Sequence, residues 1–264
     1  MSQQLYQRIY LSPHLDDAAL SCSGLIYQQR QAGLTVLVVT LLAGDPPLAA
    51  LDMPTPILAD LHTRWELEDN PNPAAARRAE DLAALSTLKA DALHWEWPEC
   101  VYRRDPSTGA FLYPSEESLW GPVHPAEYPL IAHLARRLAD LPLARGGQVY
   151  VPLTVGNHVD HHLVRHAAES WGAPNAKWLY YEEYPYAENP KALAAVIGDG
   201  ERWRPEYVWL DEEALASKAA AVACYRSQIS TFFTGEAEIA PRLRDYAAVA
   251  GKGRGWAERY WCHE

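Results

Sequence analysis

The sequence predicts an α/β fold in which a mostly parallel sheet is flanked by helices. Two observations lead to this prediction. Short apolar runs alternate with longer amphipathic segments along the chain, which is typical of α/β folds. The longest run is continuously apolar, like a strand that is buried on both faces of a parallel sheet. Because no repeat or low-complexity linker interrupts the alternation, we expect one domain over residues 1–264.

The elements of the first part of the chain follow from their residue patterns. Residues 8–12 form a short β-rich run that predicts the first strand. Apolar residues at helical spacing predict a helix over 17–32, and Gly33 marks its end. Residues 35–42 are apolar throughout and rich in β-branched side chains, so they predict a buried strand. The alanine-rich segment 74–88 predicts the next helix.

The same patterns predict, in order, strand 92–97, helix 130–141, strand 148–153, helix 161–171, strands 178–182 and 207–210, and helix 212–225. Two irregular segments, 44–73 and 98–128, are longer than usual connections, so we expect them to border a functional site. In open sheets of this kind, ligands bind beyond the carboxyl ends of the strands. The residues that follow each strand are therefore the ones to examine for chemistry.

The composition excludes several classes of protein. The chain carries 23 Lys and Arg against 34 Asp and Glu, a formal net charge of −11, which disfavours nucleic acid or an anionic membrane as a partner. Its four cysteines lie far apart, so we predict neither a cysteine zinc site nor a disulfide framework. No leader-like segment and no membrane-length apolar stretch is present. We therefore expect a soluble cytoplasmic protein, and leave open whether it forms homo-oligomers.

A histidine and two aspartates, His14, Asp16 and Asp17, follow the first strand. A nucleotide-binding unit would have glycines at this turn, where bare backbone meets phosphate. Side chains of this kind suit a cation instead. His14 and Asp17 are close enough to face one point, and Asp16 must project differently. The alternative is that one aspartate simply caps the following helix.

A second polar cluster follows strand 148–153 and contains His158, Asp160 and His161. A solvated polar turn would explain such a cluster on its own. Two clusters at matching ends of two strands favour a shared metal site instead, because imidazole and carboxylate together suit Zn²⁺. Three protein ligands would leave one position for water, and the remaining side chains could serve as acid and base.

These motifs resemble those of a known family. Residues 13–17, P-H-L-D-D, resemble the P-H-P-D-D-E motif of the PIG-L (LmbE-like) zinc deacetylases, and residues 158–161, H-V-D-H, resemble that family's H-x-D-H motif. Weaker similarities follow in the family's order, namely R-x-x-E at 77–80, Y-E-E-Y-P-Y-A at 181–187, and Lys218 with S-Q at 227–228. The resemblance covers residues 8 to 230 and implies a Rossmann-like, LmbE-like fold.

The resemblance implies a zinc-dependent hydrolase that removes an acetyl group from an N-acetylated amino sugar or its GlcNAc-type conjugate. It implies one Zn²⁺ per chain, and the ligands it implies are His14, Asp17 and His161. Asp16 would be the base that takes a proton from the zinc-bound water. His158 would stabilise the oxyanion or protonate the leaving amine, and Asp160 would orient a histidine.

The chain departs from the family pattern at two positions. Leu15 replaces a proline that is not a ligand. Ala18 replaces a glutamate, which weakens the analogy between this chain's substrate and those of the family. Charged side chains on an exposed helix face are usually solvated, and tyrosines are usually buried with their hydroxyl group hydrogen-bonded. Candidates for substrate contact therefore rest on weaker grounds than the metal ligands. These candidates are Asp45, Arg77, Arg78, Asn157 and Tyr184.

Two other functions compete with this interpretation. Residues 156–158, G-N-H, imitate a motif of two-metal phosphoesterases, but we find no G-H-x-H motif downstream. A non-catalytic carbohydrate-binding protein could also share the scaffold. Such a protein would lack a full acid–base set, and this chain has one, which favours an enzyme.

Overall fold

The computed structural model describes residues 4–67, 70, 72–198 and 202–263. The strands in these residues are β1 (Tyr6–Ser12), β2 (Val36–Thr40), β3 (Asp91–His94), β4 (Leu143–Pro152), β5 (Lys177–Tyr181), β6 (Trp203–Leu210) and β7 (Trp256–His263). They form one sheet in the order β3-β2-β1-β4-β5-β7-β6. The first five strands in that order are parallel, and β7 runs antiparallel to both of its neighbours. The predicted α/β fold with a mostly parallel sheet is therefore confirmed.

The helices in the described residues are α1 (Asp17–Gln31), α2 (Leu48–Asp52), α3 (Pro56–Arg64), α4 (Pro73–Thr87), α5 (Tyr128–Leu138), α6 (Val159–Trp171), α7 (Pro190–Ile197), α8 (Glu212–Val222), α9 (Arg226–Phe232) and α10 (Glu236–Ala250). None of them is long and apolar enough to span a membrane.

The chain reverses its direction across the sheet beside β1. From β1 it adds β2 and then β3 on one side, and it returns to place β4 on the other side of β1. This reversal opens a crevice at the carboxyl ends of β1 and β4, where open α/β sheets bind ligands. The two histidine–aspartate motifs follow these two strands, so the topology brings them together.

Both faces of the central strands are buried. On β1, Ile9 and Leu11 pack with Leu134 and Leu163 from α5 and α6. Tyr10 points to the other face, in a cluster with residues of α1 and α4. This alternation explains why the central strands are apolar throughout.

Several elements differ from the prediction. Segment 44–73 contains the short helices α2 and α3, and β4 begins five residues before the predicted strand. The elements α7, α9, α10 and β7 had no counterpart in the prediction. The charged pair Glu258–Arg259 interrupts the apolar pattern of β7, and Pro241 lies within α10. Local patterns therefore missed elements that long-range packing stabilises.

A buried ion pair reaches into α1 from the opposite end of the chain. The Glu258 carboxylate on β7 accepts hydrogen bonds from the backbone N–H groups of Gly24 and Leu25, both at 2.9 Å. The Lys218 ammonium donates to Glu258 at 2.7 Å and to the Ser21 carbonyl at 2.9 Å. A Cβ on Gly24 would lie 2.8 Å from Leu210 Cδ1 and 2.9 Å from Glu258 Oε1, so a larger residue here would displace these two side chains.

Candidate active site

The crevice brings His14, Asp17 and His161 to one point. The Asp17 Oδ2 atom lies 3.2 Å from His14 Nδ1 and 3.3 Å from His161 Nε2. Two donors bound to one tetrahedral zinc ion at about 2.05 Å would lie about 3.3 Å apart. The spacing of these three side chains therefore fits a tetrahedral cation.

The orientation of the two imidazoles also fits a cation. His161 Nδ1 donates to Glu183 Oε1 at 3.0 Å, and the buried Nε2 atom has no hydrogen-bond partner. His14 Nε2 donates to Asp160 Oδ2 at 3.0 Å, which leaves Nδ1 toward Asp17. Each ring thus has a carboxylate on its far nitrogen, as metal-binding histidines usually do.

Glu183 contacts a site histidine and was not singled out in the sequence. It is fully buried just beyond β5, and it also accepts hydrogen bonds from the Thr154 and Val155 amides at 2.6 and 3.1 Å. Thr154 has a φ of 67°, an unfavourable conformation for a β-branched residue. Glu183 therefore stabilises the turn after β4 as well as His161. Its position at a carboxyl strand end was the available signal.

Asp16 does not cap α1, although it occupies the N-cap position. The Ser12 hydroxyl instead accepts the hydrogen bond of the Ala18 amide at 3.1 Å. The Asp16 carboxylate faces the pocket, with Oδ1 3.9 Å from Arg77 Nη2. Burial raises the pKa of Asp16 to about 6, although Arg77 opposes this shift. The capping interpretation therefore fails for Asp16, which is free to act on a ligand.

Asp160 is buried and held by several partners. Its Oδ2 atom accepts from His14 and from the Cys100 amide at 2.9 Å, and Oδ1 accepts from Arg103 at 2.6 Å. Burial alone would raise the pKa of Asp160, but Arg103 and His14 hold it well below its usual range. Arg103, which is also paired with Glu127, was not singled out in the sequence because no motif surrounds it.

His158 is the N-cap of α6, and its Nδ1 atom accepts the Asp160 amide hydrogen bond at 3.2 Å. In a neutral imidazole the proton is then on Nε2. Burial and the neighbouring His14 lower the pKa of His158 well below its usual value. The ring meets the His14 ring edge-on at 5.0 Å between centroids. His158 therefore offers an N–H donor beside the two histidines that face Asp17.

A pocket lies beside this cluster, and Arg77 and Glu99 line its polar side. Arg77 is paired with Glu99 and lies 4.5 Å above the Trp65 ring. Of the five candidate substrate contacts, the structure brings only Arg77 into this lining. Glu99 was missed, although it comes shortly after β3.

The other four candidates do not line the pocket. Asp45 is exposed and pairs with Arg78 at 2.7 Å. The backbone of Asn157 is left-handed, and its side chain accepts from His162 at 2.8 Å. Tyr184 is buried in a separate apolar cluster. Asp45, Asn157 and Tyr184 follow strands and Arg78 lies next to Arg77 on α4. Their contacts turn their side chains away from the pocket.

Comparison with known proteins agrees with the fold. A curated relative, the 2′-N-acetylparomamine deacetylase of Niallia circulans, is 26% identical over 246 residues, which cover 90% of this chain and 86% of the relative. The zinc-inhibited form of the teicoplanin deacetylase Orf2 superposes with a TM-score of 0.80 at 26% identity, covering 97% of this chain and 98% of that one. The A40926 pseudoaglycone deacetylase Dbv21 gives a TM-score of 0.74 at 25% identity, covering 99% and 98%.

The fold and these similarities define an N-deacetylase built on a Rossmann-like sheet. The model of the PIG-L family, described as GlcNAc-PI de-N-acetylase, matches residues 9–172, more than half of the chain. The chain belongs to the PIG-L family, and the resemblance seen in the sequence is confirmed.

Proposed function

We propose that the chain is a zinc-dependent hydrolase that removes the acetyl group from an N-acetylated amino sugar or its GlcNAc-type conjugate. The observation that carries this proposal is the placing of Asp17 Oδ2 at 3.2 and 3.3 Å from two imidazole nitrogens, one of them buried without a hydrogen bond. The deacetylase relatives, one of which is described as acting on N-acetylparomamine, support the substrate class.

In this proposal His14, Asp17 and His161 hold one zinc ion per chain. When bound, the ion acts as a Lewis acid and lowers the pKa of water from 15.7 to about 7. Asp160 and Glu183 fix the two histidine rings from their far nitrogens, which keeps the ligand set in place before substrate arrives.

The remaining polar residues supply the proton transfers. The Asp16 carboxylate accepts a proton from the attacking water, because no capping bond occupies it. The His158 Nε2–H group donates to the acetamide oxygen as this oxygen gains negative charge. The proton then passes from Asp16 to the leaving nitrogen, and acetate and the free amine are released.

Substrate hydroxyl groups find both a donor and an acceptor in the pocket. Arg77 and Glu99 are nearly buried and paired with each other, so their positions are fixed before binding. We propose that they bind sugar hydroxyls beside the acetamido group. We also propose a cytoplasmic location, because all four cysteines are unpaired thiols, which suits a reducing compartment.

The test measures acetate released from N-acetylglucosaminyl compounds by the zinc-loaded protein and by Asp16→Asn. We expect this change to lower kcat at least roughly 100-fold with the zinc-to-protein ratio unchanged, because Asp16 acts on the proton rather than on the ion. Asp45→Asn is the matched control, since Asp45 lies outside the pocket. Full activity of Asp16→Asn would remove it as the base, and two ions per chain would favour the phosphoesterase alternative.

A further inference from the structure

The edge strand β6 carries a row of ring side chains at the protein surface. Pro205, Tyr207 and Trp209 point to one face of the strand, because side chains alternate between the two faces of a sheet. The Trp209 side chain is 48% exposed. The rings of Tyr207 and Trp209 are inclined by 15°, with 6.0 Å between their centroids. Neither ring belongs to the apolar core clusters of the described residues, so core packing does not account for them.

A short segment after α10 borders this row. Residues 251–255 have the sequence G-K-G-R-G, so Lys252 and Arg254 supply its only side chains. The Lys252 ammonium lies 5.6 Å from the centroid of the Tyr207 ring. A Cβ on Gly255 would lie 3.5 Å from the Trp209 indole, so the segment also packs against that ring. The segment and the row enclose a cavity of about 230 Å³, the β6 cavity, which is lined by Pro205, Tyr207, Trp209, Gly251, Lys252 and Arg254.

The two charged groups of the β6 cavity are both cations. In the part of the chain that the structure describes, no carboxylate forms an ion pair with Lys252 or Arg254. Burial alone would raise the pKa of Tyr207, but Lys252 and Arg259 lower it, as a locally positive surface does. The chain as a whole has a net charge of −11. A ligand of this cavity should therefore carry negative charge, and a carboxylate suits Arg254 because a guanidinium can bind both of its oxygens.

The row is long enough for more than one ring of a ligand. The strand from Pro205 to Trp209 spans about 13 Å. The faces of aromatic rings carry partial negative charge, and the C–H groups on the face of a pyranose carry partial positive charge, so sugar rings stack on such side chains. Two linked sugar rings would cover Tyr207 and Trp209, and burial of this apolar surface would favour binding.

We propose that the β6 cavity is a second carbohydrate site, which binds an acidic oligosaccharide with its sugar rings on Tyr207 and Trp209 and its carboxylate on Arg254. Single-stranded nucleic acid also stacks on aromatic side chains, but two cations on a chain of this acidity are few for a phosphate backbone. The strand β6 lies four strands from β1 in the sheet, about 19 Å at the usual spacing. The site is therefore separate from the catalytic pocket, and the inference does not depend on the proposed function.

The experiment titrates the full chain with cellobiouronic acid and with cellobiose, two disaccharides that differ by one carboxylate, and follows binding by ligand-observed NMR. We expect the acid to bind roughly tenfold or more tightly, because only the acid can pair with Arg254. Trp209→Ala should weaken binding of the acid roughly tenfold, and Arg254→Met should remove the preference for the acid. Trp120→Ala is the matched control, because Trp120 is also exposed, at 39%, but lines the catalytic pocket. It should bind the acid like the wild-type protein.

Four outcomes would overturn this inference. The wild-type protein would bind neither disaccharide, or it would bind both equally. Trp120→Ala rather than Trp209→Ala would lose binding, which would place the ligand in the catalytic pocket. An oligothymidylate would bind through Trp209 more tightly than the acid, which would assign the row to nucleic acid. Acetate release by Trp209→Ala should match that of the wild-type protein, and a large loss would show that the two sites are not separate.

Discussion

At the level of single residues, the freedom of the Asp16 carboxylate depends on which side chain accepts a hydrogen bond from the first turn of α1. Ser12 accepts the Ala18 amide, so Asp16 can occupy the N-cap position without making the capping bond. The sequence left open whether one of the two aspartates caps the helix, because aspartate is a favoured cap, and it did not indicate Ser12. The sequence did predict that His14 and Asp17, which share a motif, face one point. It indicated Glu183 only by its position beyond a strand end, and it did not indicate Arg103, which reaches the site through a tertiary contact that no local pattern records.

Glu183→Gln should weaken zinc binding roughly tenfold or more, because the charge that orients and polarises His161 is lost. Competition with a chromophoric chelator measures the affinity. The neighbouring change Glu182→Gln is the control, since Glu182 contacts Arg259 and Trp261 rather than a site histidine. Equal zinc affinities in the two variants would contradict the orienting role of Glu183.

At the level of elements, the helix that begins with Asp17 is anchored by residues far away in the chain. Glu258 and Lys218 contact α1 in its middle, on the same helix whose first turn carries the site. Strong local patterns predicted α1, β2 and α4 to within a few residues. Glu258 breaks the apolar pattern of β7, and its carboxylate accepts the hydrogen bonds from the backbone of α1. The residue that breaks the apolar pattern of the strand is thus the one that joins the strand to α1.

Lys218→Met should lower the free energy of unfolding by about 3–5 kcal/mol, because it leaves Glu258 buried without a counter-charge. Urea unfolding followed by circular dichroism measures the change. Lys177→Met breaks a lysine–glutamate pair that is partly exposed at the surface, and should cost less than about 1 kcal/mol. Similar losses of unfolding free energy in the two variants would show that the buried Lys218–Glu258 pair contributes no more to stability than the surface pair.

At the level of the whole molecule, the reversal of strand order beside β1 explains how motifs about 140 residues apart form one site. The sequence predicted the alternation of strands and helices, but not which strands are neighbours, because strand pairing is decided by long-range packing. One sheet includes strands from both ends of the described chain. This supports the single-domain interpretation, which stays a prediction.

Zinc should stabilise the whole fold, because it would bind His14, Asp17 and His161 only when β1 and β4 are adjacent. At a hundredfold excess over Kd, the melting temperature should rise by roughly 5–10 °C. Differential scanning calorimetry of chelator-treated protein with and without zinc measures this rise. Magnesium should have little effect, since it disfavours imidazole ligands. His161→Ala should lose most of the zinc-dependent rise, and an undiminished rise would refute the ligand role of His161.

The contact between Glu258 and α1 has a consequence for the way the protein is made. The Gly24 amide and the carboxylate that accepts its hydrogen bond are 234 residues apart. On the ribosome, the aspartate pair at the start of α1 is therefore translated long before the strand that anchors its helix. A nascent chain can form its first strands early, but α1 is fully anchored only when β7 has emerged and inserted between β5 and β6.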